Sequence, residues 1–336
     1  MNVIIPMAGM GKRMRPHTLS TPKPLVFVAG KPIVHHLCED IIAALPDKVS
    51  NISFIIHPSF GIETEKKLID IAHSLHANGV IYYQHEALGT AHAILAAKEA
   101  LIGPVIIAFA DTLFKTDFKL KNTLDGTIWV KEIDDPKLFG VVVSDENGII
   151  MDFIEKPQKF VSNKAIIGIY HFKDGANLCN EIQYLIDNNL KEKGEFQLTN
   201  ALENMKNKGL KFKTAAVSQW YDCGNKEATV NTNRQVLINK YPENYINSET
   251  KIINSTIIAP CYIEKSVVIE SAVIGPYVTL GEDTIIKNAI VKNTIVMKNT
   301  IIENKIIENS LIGNHVNLLG TINTVSIGAY NECSDK

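Results

Sequence analysis

Arginine is nearly absent from this chain of 336 residues: Arg13, Arg15 and Arg234 are the only three, and two of them share one short loop. Basic residues number 34 against 36 acidic ones, a formal charge of −2, so there is no electrostatic footprint for nucleic acid or an anionic membrane surface. The five cysteines (Cys38, Cys179, Cys223, Cys261, Cys333) are dispersed, with no Cys-x-x-Cys pair. That argues against a disulfide framework and a structural zinc site. No apolar run approaches the roughly 20 residues that span a bilayer. The opening run, Val3-Ile4-Ile5, is far shorter than a signal-peptide core and follows no basic segment, so a cytoplasmic protein is expected. Lys, Asn and Ile are abundant instead, which reads as compositional bias.

The length suggests about two domains, each able to bury its own core. Up to about residue 235, short apolar runs alternate with amphipathic stretches. Val3–Ile5, Ile52–Ile56, Val80–Tyr83 and Val105–Phe109 read as strands. Ile33, Leu37, Ile41 and Leu45 recur on one helical face just after Pro32, and Leu68, Ile71 and Leu75 mark a second helix over residues 63–76. Further helices are expected over 91–101 and near 176–188 and 198–206. Strands separated by such helices indicate βαβ units and a mostly parallel sheet.

From about residue 250 the texture changes. Residues 251–320 hold two aromatics, Tyr262 and Tyr277, and no arginine. Aliphatics recur every five or six positions: Ile258, Ile263, Ile269, Ile274, Leu280, Ile286, Val291, Met297, Ile302, Ile307, Ile312 and Leu318. A hexapeptide period of this kind marks a β-helix, in which each flat face contributes one inward aliphatic per coil. About four coils fit. The spacing predicts a first domain over 1–236, a linker over 237–250 and a left-handed parallel β-helix over 251–330.

The chemistry-bearing residues concentrate after the first strand. Pro6-Met7-Ala8-Gly9-Met10-Gly11-Lys12-Arg13 is followed by Pro22-Lys23-Pro24. A glycine-bearing loop at a strand's carboxyl end can turn backbone N–H groups toward a phosphate or a base. Arg13 and Lys23 would add positive charge against a polyphosphate. The loop is neither a Walker A motif nor a dinucleotide fingerprint, which needs a third glycine.

With Gly9-x-Gly11-x-Arg13-x-x-Pro16-x-Thr18, Pro22-Lys23-Pro24 and Gly30-Lys31-Pro32, the sequence resembles the sugar-1-phosphate nucleotidyltransferases, departing at Ala8, where the family has glycine, and at Lys12. Further stations follow in order: Gln84 with Gly89, Asp111 after an apolar strand, Phe139-Gly140, Glu155-Lys156-Pro157, Gly168, Gly194-Glu195-Phe196-Gln197-Leu198-Thr199 and Trp220-x-Asp222-x-Gly224. The resemblance implies a Rossmann-like, mixed but mostly parallel α/β sheet ahead of the β-helix. It implies that Ala8, Gly9, Gly11, Gln84 and Gly89 bind the nucleotide, and that Arg13 and Lys23 are catalytic. Gly140, Glu155, Lys156, Gly168 and Glu195 would hold the sugar phosphate, and Asp111 and Asp222 would hold Mg²⁺.

The implied reaction is attack of a sugar 1-phosphate on the α-phosphorus of a nucleoside triphosphate. The spacing of Gln84 from Gly89 resembles that of thymidylyl and uridylyl members, so dTTP with glucose 1-phosphate is the first expectation. GTP with mannose 1-phosphate is the second and UTP the third. A non-catalytic nucleotide-sugar-binding paralogue and a bifunctional enzyme whose β-helix transfers acyl groups are the other readings, with His315 the tempting base for the latter. A homo-oligomer is expected, with neither nucleic acid nor membrane as partner.

Overall fold

The computed structural model describes residues 1–116, 119–120 and 124–321. The expected β-helix positions 322–330 and Cys333 lie outside the described residues. The chain divides into two compact units: residues 1–26 with 31–229, and residues 27–30 with those from 230 onward. No helix among the described residues is long and apolar enough to cross a membrane.

The first unit is built on a mixed nine-stranded sheet. Its elements in chain order are β1 (Asn2–Pro6), α1 (Ile33–Ala44), β2 (Asn51–Ile56), α2 (Ile62–Ser74), β3 (Asn78–Tyr83), α3 (Thr90–Leu95), β4 (Val105–Ala108), β5 (Thr112–Lys115), β6 (Gly126–Glu132), β7 (Gly140–Ser144), β8 (Ile150–Glu155), β9 (Lys164–Phe172), α4 (Gly175–Asp187), α5 (Leu198–Asn207), β10 (Phe212–Ala216) and β11 (Gln219–Asp222); α6 (Lys226–Lys240) begins in this unit, and its residues from Val230 belong to the second. The sheet runs β8-β7-β9-β4-β1-β2-β3, with β6 on β9 and β10 on β6. Strands β4, β1, β2 and β3 are mutually parallel, while β9 runs antiparallel to β4, β6 and β7. The parallel strands are apolar because both faces are covered: Val3, Ile4 and Ile5 are at most 1% exposed.

Helix α1 forms where expected and buries Ile33, Val34, Leu37, Cys38 and Ile41. Helix α2 stops at Ser74, two residues before the expected end, because His76 turns left-handed (φ 59°) and Ala77 N–H reaches back to the Ala72 carbonyl. The single helix expected over 91–101 is two pieces, α3 and a short 3₁₀ turn over Lys98–Ala100, separated where Ala97 leaves helical geometry.

In the second unit, three parallel sheets stack as in a left-handed β-helix, two of five strands and one of four. Ile246, Ile263, Leu280, Val296 and Ile312 stand in register on one face. Ile252, Ile269, Ile286, Ile302 and Leu318 do so on the second, and Ile257, Ile274, Val291 and Ile307 on the third. Ile263, Ile269, Ile274, Leu280, Ile286, Val291 and Ile302 are fully buried, each contributing roughly 1.5–3 kcal/mol. Two expected inward positions are corrected: Ile257 packs on the core while Ile258 is 43% exposed, and Val296 rather than Met297 continues the stack.

The coil corners are left-handed. Asn254, Asn288, Asn293, Asn299, Asn304 and Asn309 all have positive φ, a conformation asparagine tolerates better than other side-chain-bearing residues. Asn288 Nδ2 donates to Asn304 Oδ1 (3.3 Å) and Asn293 Nδ2 to Asn309 Oδ1 (2.6 Å). The abundance of asparagine is thus structural in this unit. His315 shares such a corner geometry (φ 57°), its N–H bonded to the Lys298 carbonyl.

The segment expected as a linker, 237–250, is not one. Its first residues end α6, and Asn244–Ile246 is the opening strand of the β-helix, paired with Cys261–Ile263. Residues 27–30 also leave the expected first domain: Ala29 N–H donates to Asn233 Oδ1, which accepts from Thr279 Oγ as well. Gly30 (φ 81°) lies so close to the Tyr262 ring that a Cβ would overlap it.

In the first unit, His171 on β9 is 1% exposed, and among the described residues neither ring nitrogen has a hydrogen-bond partner. Burial pushes its pKa down from 6.5 to about 4, partly opposed by Asp47. The unfolded chain therefore takes up a proton that the folded chain refuses. Stability from this group is complete above pH 6.5 and is lost as the pH falls toward 4, by roughly 3 kcal/mol. Thermal melting between pH 7 and 4 should fall less steeply in His171→Leu than in the unsubstituted chain. Parallel curves would remove His171 as the cause.

Candidate active site

The loop after β1 is shaped by Gly11. It is left-handed (φ 57°), and a Cβ there would come within 2.9 Å of Thr18 Cγ2 and 3.1 Å of Lys23 Cβ. Thr18 Oγ donates to the Gly11 carbonyl at 2.8 Å, closing the loop. A 3₁₀ turn over Lys12–Met14 then buries Met14 and leaves Arg13 facing outward. Lys23, between two prolines in another 3₁₀ turn, is 9% exposed.

Lys23 Nζ meets Asp111 Oδ2 at 2.7 Å. Asp111 follows β4, and Asp222 ends β11, which pairs antiparallel with β5 so that Asp222 stands opposite Thr112. Cys223 N–H donates to the Asp111 carbonyl at 2.9 Å, locking the two aspartates side by side. Burial, then the Asp111 carboxylate, raises the Asp222 pKa; Lys23, the Gly224 N–H and Arg13 pull it back. Gly224 is needed here: a Cβ would lie 2.8 Å from Asp222 Oδ2 and 3.3 Å from Arg13 Nη2.

Arg13, Lys23, Asp111 and Gly224 border a cleft of about 420 Å³, whereas Asp222, beside Asp111, does not line it. Ala8, Gly9, Gly11, Arg13, Lys23, Gln84, Gly89, Asp111 and Glu195, all expected from the sequence, line it. Lys12, Pro24, Ala87, Thr90, Ala93 and Gly224 line it too, without having been singled out as site residues. Lys12 and Gly224 lay inside the quoted motifs; Ala87 and Ala93 carry no polar group by which a sequence could reveal them.

Gly140, Glu155, Lys156 and Gly168 do not line this cleft; they sit on the adjoining strands β7 to β9. Gly140 and Glu155 are register partners, and a Cβ on Gly140 would approach Glu155 Oε2 at 3.1 Å. Glu155 Oε2 accepts from Thr199 Oγ (3.1 Å), and its Oε1 lies 3.5 Å from Lys156 Nζ. Lys156 follows β8 in a left-handed backbone conformation (φ 45°). Lys193 Nζ bonds the Lys156 carbonyl at 3.3 Å, a second lysine beside it that no motif revealed. Gly168 sits in the irregular stretch of β9, and its carbonyl accepts from Phe109 N–H (2.9 Å), tying this group to the strand that delivers Asp111.

The family model for nucleotidyl transferases matches residues 2–239. The chain belongs to the nucleotidyl transferase family. It is 40% identical over 179 residues, 50% of this chain, to the mannose-1-phosphate guanylyltransferase catalytic subunit beta of Drosophila melanogaster, and covers 47% of that protein. It is 30% identical over 276 residues, 80% of this chain, to the bifunctional protein GlmU of Methanococcus vannielii, covering 62% of it. The chain thus spans about half to three-fifths of the length of these curated relatives. Its fold is similar to that of a Bacillus anthracis protein described as a glucose-1-phosphate thymidylyltransferase (TM-score 0.59, 20% identity, 70% of this chain and 94% of the other). It is likewise similar to a UDP-glucose pyrophosphorylase solved with UDP-glucose (TM-score 0.56, 22% identity, 70% and 97%).

Among the described residues of this chain, no group of three or more His, Cys, Asp or Glu could hold a metal by itself. Asp111 and Asp222 form a two-carboxylate set. That set suits a hard divalent cation whose remaining ligands are phosphate and water oxygens. Because its environment disfavours the charged form, Asp222 adds nothing to stability as an anion. Asp222→Asn is expected to melt at the same temperature as the unsubstituted chain or slightly higher. A fall of several degrees in calorimetry would show the carboxylate to be structural.

Proposed function

We propose that this chain transfers a nucleotidyl group from a nucleoside triphosphate to a sugar 1-phosphate, releasing pyrophosphate. The observation that carries the reading is the convergence of Arg13, Lys23 and Asp111 on one cleft beside a glycine-rich loop, with Asp222 held next to Asp111. Bringing two phosphate anions together demands charge neutralisation and alignment above all. Here the cations Lys23 and Arg13 stand against the two carboxylates, Lys23 paired with Asp111 at 2.7 Å.

The reaction needs no protein nucleophile. The phosphate monoester is itself the attacking group, largely ionised at neutral pH because its second pKa is about 6. Arg13, with its planar fork, suits the departing pyrophosphate, and Lys23 suits the α-phosphate once its pairing with Asp111 is exchanged for one with substrate. Lys156, beside Glu155, would bind the attacking phosphate, while Glu155 and Glu195 would accept hydrogen bonds from sugar hydroxyls. The fit of the carboxylate pair supports Mg²⁺ as the cofactor, held by Asp111 and Asp222, and it would supply charge neutralisation on phosphate oxygens.

Two substrate pairs head the reading: dTTP with glucose 1-phosphate, from the spacing of Gln84 and Gly89, and GTP with mannose 1-phosphate, from the fly relative. A cytoplasmic homo-oligomer belongs to the same proposal. Pyrophosphate release should be measured with Mg²⁺, crossing five nucleoside triphosphates against glucose, mannose and N-acetylglucosamine 1-phosphates. One dominant pair is expected; silence across the grid, with nucleotide still bound, would overturn the reading. Asp111→Asn and Asp222→Asn should each lower turnover at least about a hundredfold, on the scale of lost transition-state charge stabilisation. Lys156→Ala should raise KM for the sugar phosphate far more than for the nucleotide; equal increases would count against its role.

A further inference from the structure

Gln84 follows β3, its own N–H bonded to the Ile56 carbonyl, and its side chain lines the cleft while remaining 8% exposed. A glutamine amide has one donor end and one acceptor end, and which end faces a ligand decides what that ligand must offer. Here the donor end is engaged. Nε2 lies 3.2 Å from His92 Nδ1 and 3.5 Å from the Gly89 carbonyl. A carbonyl can only accept, so the group turned toward Gly89 and His92 is the NH₂. His92 must then receive it on an unprotonated Nδ1.

Both anchors are themselves fixed. Gly89 (φ 117°) is pressed against the Phe196 backbone, where a Cβ would come within 2.5 Å of the carbonyl oxygen. Phe196 N–H donates to the Leu88 carbonyl (2.8 Å), and Ala91 N–H donates to the Phe196 carbonyl (2.9 Å). His92 lies on the helix α3 that begins within this clamp. Among the described residues no donor reaches Gln84 Oε1, which is the end left for a ligand.

We infer that His92 is a positioning residue that locks the Gln84 amide with its oxygen toward the nucleobase, so that the cleft selects bases bearing a ring N–H. Uracil and thymine offer N3–H and guanine offers N1–H. At that ring position cytosine N3 and adenine N1 are acceptors and would face the Gln84 oxygen lone pair to lone pair; they could donate to it only by shifting to bring their exocyclic amines opposite it. The inference rests on the nucleotidyl-transfer reading and narrows its substrate class. His92 does not line the cleft, so its influence runs through Gln84. Nothing in the family pattern quoted above draws attention to position 92.

The test is equilibrium binding to the full chain with Mg²⁺ present, by calorimetry, of dTTP, UTP, GTP, CTP and ATP, with inorganic tripolyphosphate as the base-free probe. The unsubstituted chain should bind dTTP, UTP or GTP at least about tenfold more tightly than CTP and ATP, the scale of one mispaired polar group in a binding site. His92→Leu should shrink that ratio severalfold and leave tripolyphosphate affinity unchanged. His92→Asn should restore the ratio, because its Oδ1 can accept where Nδ1 did. In turnover, His92→Leu should raise KM for the nucleotide and not for the sugar phosphate.

CTP or ATP binding to the unsubstituted chain as tightly as the N–H-bearing bases would overturn the inference without variants. So would a preference left intact in His92→Leu. If no nucleoside triphosphate binds while the chain is folded, the nucleotidyl-transfer reading falls and this inference with it. Tight binding without base preference sinks the inference alone.

Discussion

Two aspartates separated widely in sequence are held side by side by a two-stranded ladder, in which β5 and β11 pair so that Asp222 faces Thr112 and the Cys223 N–H reaches the Asp111 carbonyl. The arrangement is electrostatically unfavourable on its own, since each carboxylate is partly removed from water and repels the other. The surrounding chain offsets that repulsion. Lys23 is nearly buried and paired with Asp111, Arg13 and the Gly224 N–H act on Asp222, and two glycines keep the space clear. Gly11 lets Lys23 approach from one side, and Gly224 lets Arg13 approach from the other. A cation and a polyphosphate would complete a balance that the protein alone leaves partial.

The sheet explains why these groups meet. Parallel strands bring their carboxyl ends to one edge, and in open α/β sheets ligands bind there. The loop after β1 and the residues after β4 both leave from that edge. The irregular stretch of β9 adds a second constraint, because the Gly168 carbonyl holds the Phe109 N–H two residues before Asp111. Residues on β7 to β9 are thereby coupled through backbone to the carboxylate pair, although their side chains do not line the same cleft.

Much of the site was legible because its chemistry resides in charged residues and glycines at strand ends, where an Arg stands out in a sequence with three arginines. Nine expected residues line one cleft. Three kinds of feature escaped. Small apolar walls such as Ala87 and Ala93 carry no chemical mark. Lys193 and His92 act on other residues, and such roles exist only once the backbone brings partners together. Element ends escaped as well: α2 stops at Ser74, ahead of the left-handed His76, which no composition rule marks as a stop, and the supposed linker was obscured because a polar helix end and a three-residue strand both resemble a loop.

The β-helix shows a different limit. Its hexapeptide period is strong in the sequence, yet the period does not say which of two adjacent aliphatics points inward. Ile257 and Ile258 are neighbours of the same type, as are Val296 and Met297, and strand pairing decides between them. Successive inward residues on the first face stand 17 residues apart from Ile246 to Leu280, then 16 apart from Leu280 to Ile312. Shortening a coil by one residue moves the inward position from Met297 to Val296, since a single step flips every side chain on a strand. The coil absorbs that change at one corner: the step from the third face to the first is six residues from Ile274 to Leu280 but five from Val291 to Val296, and Asn293, turned left-handed within the shorter step, bonds Asn309 in the next coil.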